Sequence, residues 1–308
     1  MDHHEAIASF VFDHPDAPVS LYDYAPVLRV RDRLGDWVLK RTGLVHSSGT
    51  AIGEWLTALR RLGVDVVAPA AHLAPNPRRL ADGKEWVVYP FIEGACYRAE
   101  DDQIAGAGRL LGKMHAADPP EAHRLVTHDR PVVRTKEWVE RHLASAIVTM
   151  RDLGLNPSIL EALVSDRIAS AATADSLSLA GCSFDFKASN LVFGPQPTLV
   201  DPDHAARMPR LYDLAVALLL FHCDLPSAQG HVWTDAQWRI FLKSYQEEVT
   251  FVPVEKDNWA SILNLAWLDQ AVWLLGNWPE GWADEKERRY LVDLAVVDLD
   301  RFSLASAT

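Results

Sequence analysis

Residues 182–215 read CSFDFKASNLVFGPQPTLVDPDHAARMPRLYDLA. Asp185, Lys187 and Asn190 stand among apolar residues, with Asn190 five positions after Asp185. Polar groups at the start of a buried segment need partners or a task, because burying them alone is costly. Downstream, NLVFG reads as a strand, PQP as a turn and TLV as a returning strand. Asp201 ends that second strand in LVDPD. Two carboxylates, an amide and a lysine thus fall on two adjoining loops.

The remainder of the chain bounds what those groups can serve. A length of 308 residues suits two domains or one large two-lobed unit. At 49% hydrophobic and 23% charged, the chain can bury a substantial core. A net charge of -12 argues against a nucleic-acid partner, which would need a basic footprint, and allows a cationic small molecule. Cys96, Cys182 and Cys223 are odd in number and far apart, so a disulfide framework is not expected. The start, MDHHEAIASF, has no apolar signal region, and the longest apolar run, LAVALLLF at 214–221, is too short to span a membrane. The expectation is a soluble cytoplasmic protein with no membrane partner; its oligomeric state is left open.

Upstream, 19–31 reads as two strands around a turn near Asp23 to Pro26, and 35–41 as a third strand. Residues 49–63 read as a helix with Ile52, Trp55, Leu56 and Leu59 on one face, Thr50 as candidate cap and Gly63 at its end. EWVVYPF, 85–91, is another strand. From about residue 100 the texture turns helical: a helix over 101–117, one over 135–154, and one opened by Asn156 and Pro157. Further helices are expected at 211–222, at 235–249 behind a Thr234/Gln237 capping box, at 257–277 and at 285–302.

Phosphoryl transfer asks for positioning and charge neutralisation more than covalent chemistry. One carboxylate orients the attacking hydroxyl and takes its proton, a second carboxylate and an amide oxygen hold Mg²⁺, and a lysine offsets the nucleotide's charge. In kinases the base and the amide lie five residues apart, and the metal-binding Asp follows on the next hairpin. Asp185, Asn190 and Asp201 keep that order.

The stretch resembles the aminoglycoside phosphotransferase and choline kinase family, within the protein-kinase-like fold. The resemblance implies Asp185 as catalytic base, Asn190 and Asp201 as metal ligands, and Lys187 as a contact to the transferred phosphate. It implies that Asp213, in YDLA, braces the catalytic loop. In the front half, Lys40 of WVLK is similar to the third-strand lysine that reaches the α- and β-phosphates, and Glu54 to its ion-pair partner. YPFIEG, with Tyr89, Phe91 and Ile92, resembles the hinge that receives the adenine edge, and LGKMHA a helix just after it. The likeness runs from about residue 20 to 215.

The expected architecture is therefore α+β and bilobal: a small β-rich nucleotide-binding lobe over 1–92 and a larger helical lobe over 93–308. The cofactors implied are ATP and Mg²⁺, with GTP as a further option for the nucleotide. The acceptor implied is a small molecule with a hydroxyl: an aminoglycoside-like or other antibiotic first, an amino sugar or amino alcohol second. Asp203, Asp224, Asp269 and Glu280 are the candidate acceptor carboxylates, and the late tryptophans are read mainly as core. Three departures stand out. Ser183-Phe184 replaces the family's His-Gly, Pro202 follows Asp201, and YDYAPV, 22–27, stands where a glycine-rich loop would be. They motivate an alternative reading, a nucleotide-binding pseudokinase with a regulatory role. A protein kinase is disfavoured because no long activation segment fits between Asp201 and YDLA. No HExxH or GxSxG setting supports a metalloprotease or serine hydrolase.

Overall fold

The computed structural model describes residues 3–22, 25–43, 45–128, 177–223, 232–277 and 285–305, with isolated positions between 141 and 158. A first helix, α1 (His3–Ser9), lies on a five-stranded antiparallel sheet of order β1-β2-β3-β5-β4. Its strands are β1 (Val19–Ser20), β2 (Val27–Asp32), β3 (Gly35–Thr42), β4 (Arg78–Arg79) and β5 (Glu85–Pro90). Neither α1 nor β4 was anticipated, and Asp23 and Tyr24 of the expected turn lie outside the described residues.

Alternation along the strands sorts the sheet's two faces. Leu28, Val30, Leu39, Trp86 and Val88 turn outward, onto Ala6 of α1 and Phe10 just after it. Lys40 and Thr42 turn the other way, beside Val87 and Glu85, their register partners. That second face meets α2 (Gly49–Arg61), whose Ile52, Trp55, Leu56 and Leu59 are fully buried, as their shared helical face predicts. The cap of α2 is Ser48, not Thr50: Ser48 keeps extended backbone angles and its hydroxyl accepts from Ala51 N–H at 3.3 Å.

Beyond the 90–94 connection, α3 (Asp101–Ala116) leads into the helical half. The expected helix over 135–154 and the one behind Asn156 lie almost wholly outside the described residues. A β6 (Leu179–Cys182)–β9 (Ala206–Pro209) pair brackets the hairpin of β7 (Leu191–Phe193) and β8 (Pro197–Leu199). This is the strand–turn–strand read from NLVFGPQPTLV.

Four more helices follow: α4 (Arg210–Leu220), α5 (Asp235–Gln246), α6 (Pro253–Asn277) and α7 (Glu285–Val296). The capping box on α5 is present. The last expected helix stops at Val296, and a separate 3₁₀ turn at Leu299–Arg301 starts from Asp298. Trp233, Trp238, Trp259 and Trp267 are buried, and each indole N–H donates to a backbone carbonyl, so they are core. The arrangement is the bilobal, kinase-like α+β fold.

The halves share one core, in which Trp55, Leu59, Val87 and Tyr89 join Leu111, Leu199 and Leu211. The backbone also crosses between them. Val67 N–H donates to Leu199 O at 2.9 Å, and Leu199 N–H to Asp65 O at 3.0 Å.

Candidate active site

The catalytic loop runs from the end of β6 through a 3₁₀ turn, Ala188–Asn190, into β7. That turn carries Asn190 back over Asp185. Asn190 Nδ2 donates to Asp185 O at 2.8 Å and to Asp185 Oδ2 at 2.9 Å. Lys187 Nζ lies 3.4 Å from Asp185 Oδ1. Burial raises the Asp185 pKa above the ordinary carboxylate value, while Lys187, His204 and Asn190 hold the rise back.

Beneath the loop runs a buried chain of hydrogen bonds. Tyr245 OH and His115 Nδ1 are 2.9 Å apart, and His115 Nε2 and Asp213 Oδ2 are 3.0 Å apart. Asp213 Oδ1 accepts from Phe184 N–H at 2.9 Å. Asp213 thus braces the catalytic loop, with α3 and α5 behind it. His115 and Tyr245 were missed by sequence reasoning. His115 follows Leu111 by four residues on the apolar face of α3, and that is the signal that it is an internal histidine.

Across the lobe interface, Lys40 is only 6% exposed. Its Nζ lies 2.6 Å from Asp201 Oδ1 and 2.9 Å from Asp203 Oδ2. Asp203 Oδ1 also accepts from Thr42 Oγ1 at 3.0 Å. Enclosure pushes the Asp201 pKa up, but the Lys40 ammonium overrides it and leaves it lowered. For Asp203, enclosure wins over Lys40 and the pKa is raised.

Glu54 is not the partner of Lys40. It pairs with Arg124, because α2 turns Glu54 toward the 3₁₀ turn at Pro120–Arg124 while its buried face packs on the core. Asp203, expected on the acceptor side, is turned onto Lys40 and Thr42 instead. Asp269 is buried on α6 and engaged within the protein, so it presents no open acceptor carboxylate. Asp224 and Glu280 lie outside the described residues.

In the 89–92 segment, Tyr89 is buried, with Thr42 among the groups that act on its phenol. Burial first, then Asp203 and Asp201, push that phenol well above its ordinary pKa. Phe91 N–H donates to Asp36 O at 2.8 Å, and Arg29 covers its ring at 3.9 Å from the centroid. Two of the three expected hinge residues are therefore committed to the protein itself.

The donors left at the centre are hard oxygens. Asn190 spends its Nδ2 on Asp185, which leaves its carbonyl oxygen, and Asp201 keeps a side chain that is 44% exposed. Such a set fits a hard divalent cation held partly by phosphate oxygens. Asp185, Asp201, the Asn190 amide oxygen and the enclosed Lys40 thus meet where the two halves join, the kinds of group that phosphoryl transfer asks for.

The profile of the phosphotransferase enzyme family matches residues 23–251. The chain belongs to that family, and it is a phosphotransferase acting on an alcohol group. No curated protein matches the sequence. Among solved structures, an amicoumacin kinase in complex with AMP-PNP, Ca²⁺ and Ami is similar at 15% identity and TM-score 0.65, covering 98% of this chain and 93% of that one. The AMP-bound complex of a spectinomycin phosphotransferase is similar at 13% identity and TM-score 0.64, covering 99% and 97%. A microcompartment-associated aminopropanol kinase is similar at 15% identity and TM-score 0.59, covering 94% and 93%. At these identities the likeness establishes the fold.

Proposed function

We propose that the protein is an ATP- and Mg²⁺-dependent kinase that phosphorylates a hydroxyl of a small molecule. The observation that carries this reading is Asp185, fixed by Asn190 and faced by Lys187, across from the Lys40–Asp201 pair. Asp185 receives the proton of the acceptor hydroxyl and orients its oxygen for attack on the γ-phosphate. Its raised pKa makes it a stronger base than a free aspartate. Asn190 and Asp201 hold the cation, which when bound neutralises charge on the phosphate oxygens. Lys40 pairs with the α- and β-phosphates and Lys187 with the transferred group. Ile92 supplies the adenine contact on the 89–92 segment, since the Phe91 amide and the Tyr89 phenol are committed elsewhere. In this reading the nucleotide lobe is 1–92 and the acceptor lobe 93–308.

The acceptor is a hydroxylated molecule bearing an amino group: an antibiotic first, an amino sugar or amino alcohol second. The net charge of -12 and fold relatives that carry amicoumacin, spectinomycin and aminopropanol in their names support that class. Coupled ADP release with ATP or GTP and Mg²⁺, run across aminoglycosides, other antibiotics, amino sugars and amino alcohols, tests it. Acceptor-dependent release that Asp185→Asn reduces at least about a hundredfold is expected. Tight nucleotide binding without release from any acceptor would favour the pseudokinase reading.

A further inference from the structure

Lys40 needs an anchor that persists once a nucleotide is bound. A buried ammonium is stable only against carboxylates or comparable acceptors. Lys40 has two, and they differ in kind. The Asp201 side chain is 44% exposed, and the kinase reading gives it a cation to hold. The Asp203 side chain is 10% exposed, with one oxygen on Lys40 and the other on Thr42. Thr42 lies two residues after Lys40 on the same face of β3, so strand and carboxylate form a closed clamp.

The glutamate on α2 offers no substitute. Glu54 is paired with Arg124 instead, and the glycines of α2 sit close against neighbouring prolines. A Cβ at Gly53 would lie 2.9 Å from Pro69 Cγ, and one at Gly49 3.3 Å from Pro77 Cγ.

We propose that Asp203, braced by Thr42, is the residue that positions Lys40 for the nucleotide, in place of a helix glutamate. Asp201 is then free to exchange Lys40 for the cation without releasing the lysine. Asp203 is a positioning residue and touches no reacting atom. This inference rests on the kinase reading, so its test includes one arm that needs no nucleotide.

In that arm, Lys40 acylation by an N-hydroxysuccinimide ester is followed by peptide mass spectrometry on the apo protein. Asp203→Asn is expected to accelerate labelling of Lys40 about tenfold, and Glu54→Gln to leave it unchanged, the loss of one charge-assisted bond being the difference. In the second arm, Mg-ATP binding is measured by calorimetry. Asp203→Asn is expected to weaken it about tenfold, Glu54→Gln less than twofold, and Asp203→Asn added to Lys40→Ala to cost nothing further. Thr42→Val is the milder variant should Asp203→Asn not fold, with the same pattern at smaller amplitude. Labelling of Asp203→Asn and Thr42→Val at the wild-type rate, or a binding loss carried by Glu54→Gln, would overturn the proposal. A wild-type protein that binds no nucleotide would defeat the kinase reading, while the labelling arm still decides the anchor.

Discussion

At Phe184 the backbone sits at φ 58°, a region that costs a non-glycine residue about 1 kcal/mol. The family resemblance places glycine there. Phe184 holds the conformation because its N–H is taken by Asp213 and its ring lies 5.8 Å from Tyr212 and 5.3 Å from His46. Truncation separates the two effects. Phe184→Ala loses the ring and keeps the strain, whereas Phe184→Gly loses both. The glycine variant is therefore expected to be the more stable of the two by about 1 kcal/mol in urea unfolding, an inversion of the usual order. His46, packed against that ring, has its pKa lowered from 6.5 to about 4, by burial first and by His128 and His204 after it. Its Nε2 is buried without a partner among the described residues. Below pH 6.5 the unfolded chain takes up the proton and the folded one does not, so stability falls as pH drops from 6.5 to about 4. His46→Gln is expected to flatten the melting temperature across that window. An unchanged slope would locate the acid sensitivity elsewhere.

At the scale of elements, α3 and α5 approach so closely that a methyl on Gly108 would run into the Phe241 carbonyl. A Cβ on Gly112 would lie 2.8 Å from Tyr245 O. These are the helices that carry His115 and Tyr245, the far end of the chain that reaches Phe184 N–H through Asp213. Gly108→Ala is expected to cost about 1–3 kcal/mol as overpacking. It should also lower kcat more than it raises the KM for ATP, because it disturbs the catalytic loop and not the Lys40 clamp. Equal losses in both would mean that α3 and α5 support the nucleotide side as well. The same elements show what the sequence could disclose. The placement of Asp185, Asn190 and Asp201 on one loop and one hairpin was legible because spacing fixes geometry there. Lys40 was placed on the third strand by the family resemblance, and β3 holds it there. The partner of Lys40 was not legible, since it depends on how α2 is rotated about its axis, and that is set by packing of Trp55, Leu56 and Leu59. Ser48 outcompeted Thr50 as cap for a local reason, an extended backbone two residues earlier. The role of His115 was not legible, because its partners, Asp213 and Tyr245, are distant in sequence.

At the scale of the whole molecule, the site is assembled by the contact between the lobes. Lys40, Thr42 and Ser47 come from the front half, and they meet Asp201, Asp203 and the Ala205 carbonyl. Arg124 reaches back to Glu54, and residues 65–67 pair with the β7–β8 hairpin at Leu199. Behind these contacts the apolar core is continuous, from Ile52 and Val87 through Leu111 to Leu214. Two lobes joined by a thin hinge would unfold in two steps. Lobes that share a core and a buried ion-pair clamp lose both together, because opening either one exposes the apolar surface of the other. Scanning calorimetry is therefore expected to give one endotherm. Mg-ATP at about a hundred times its Kd should shift that endotherm upward as a unit, by the roughly 2.7 kcal/mol that such saturation adds. Two endotherms, with only the lower one responding to nucleotide, would show instead that the front half folds by itself and that the clamp forms only when nucleotide draws the lobes together.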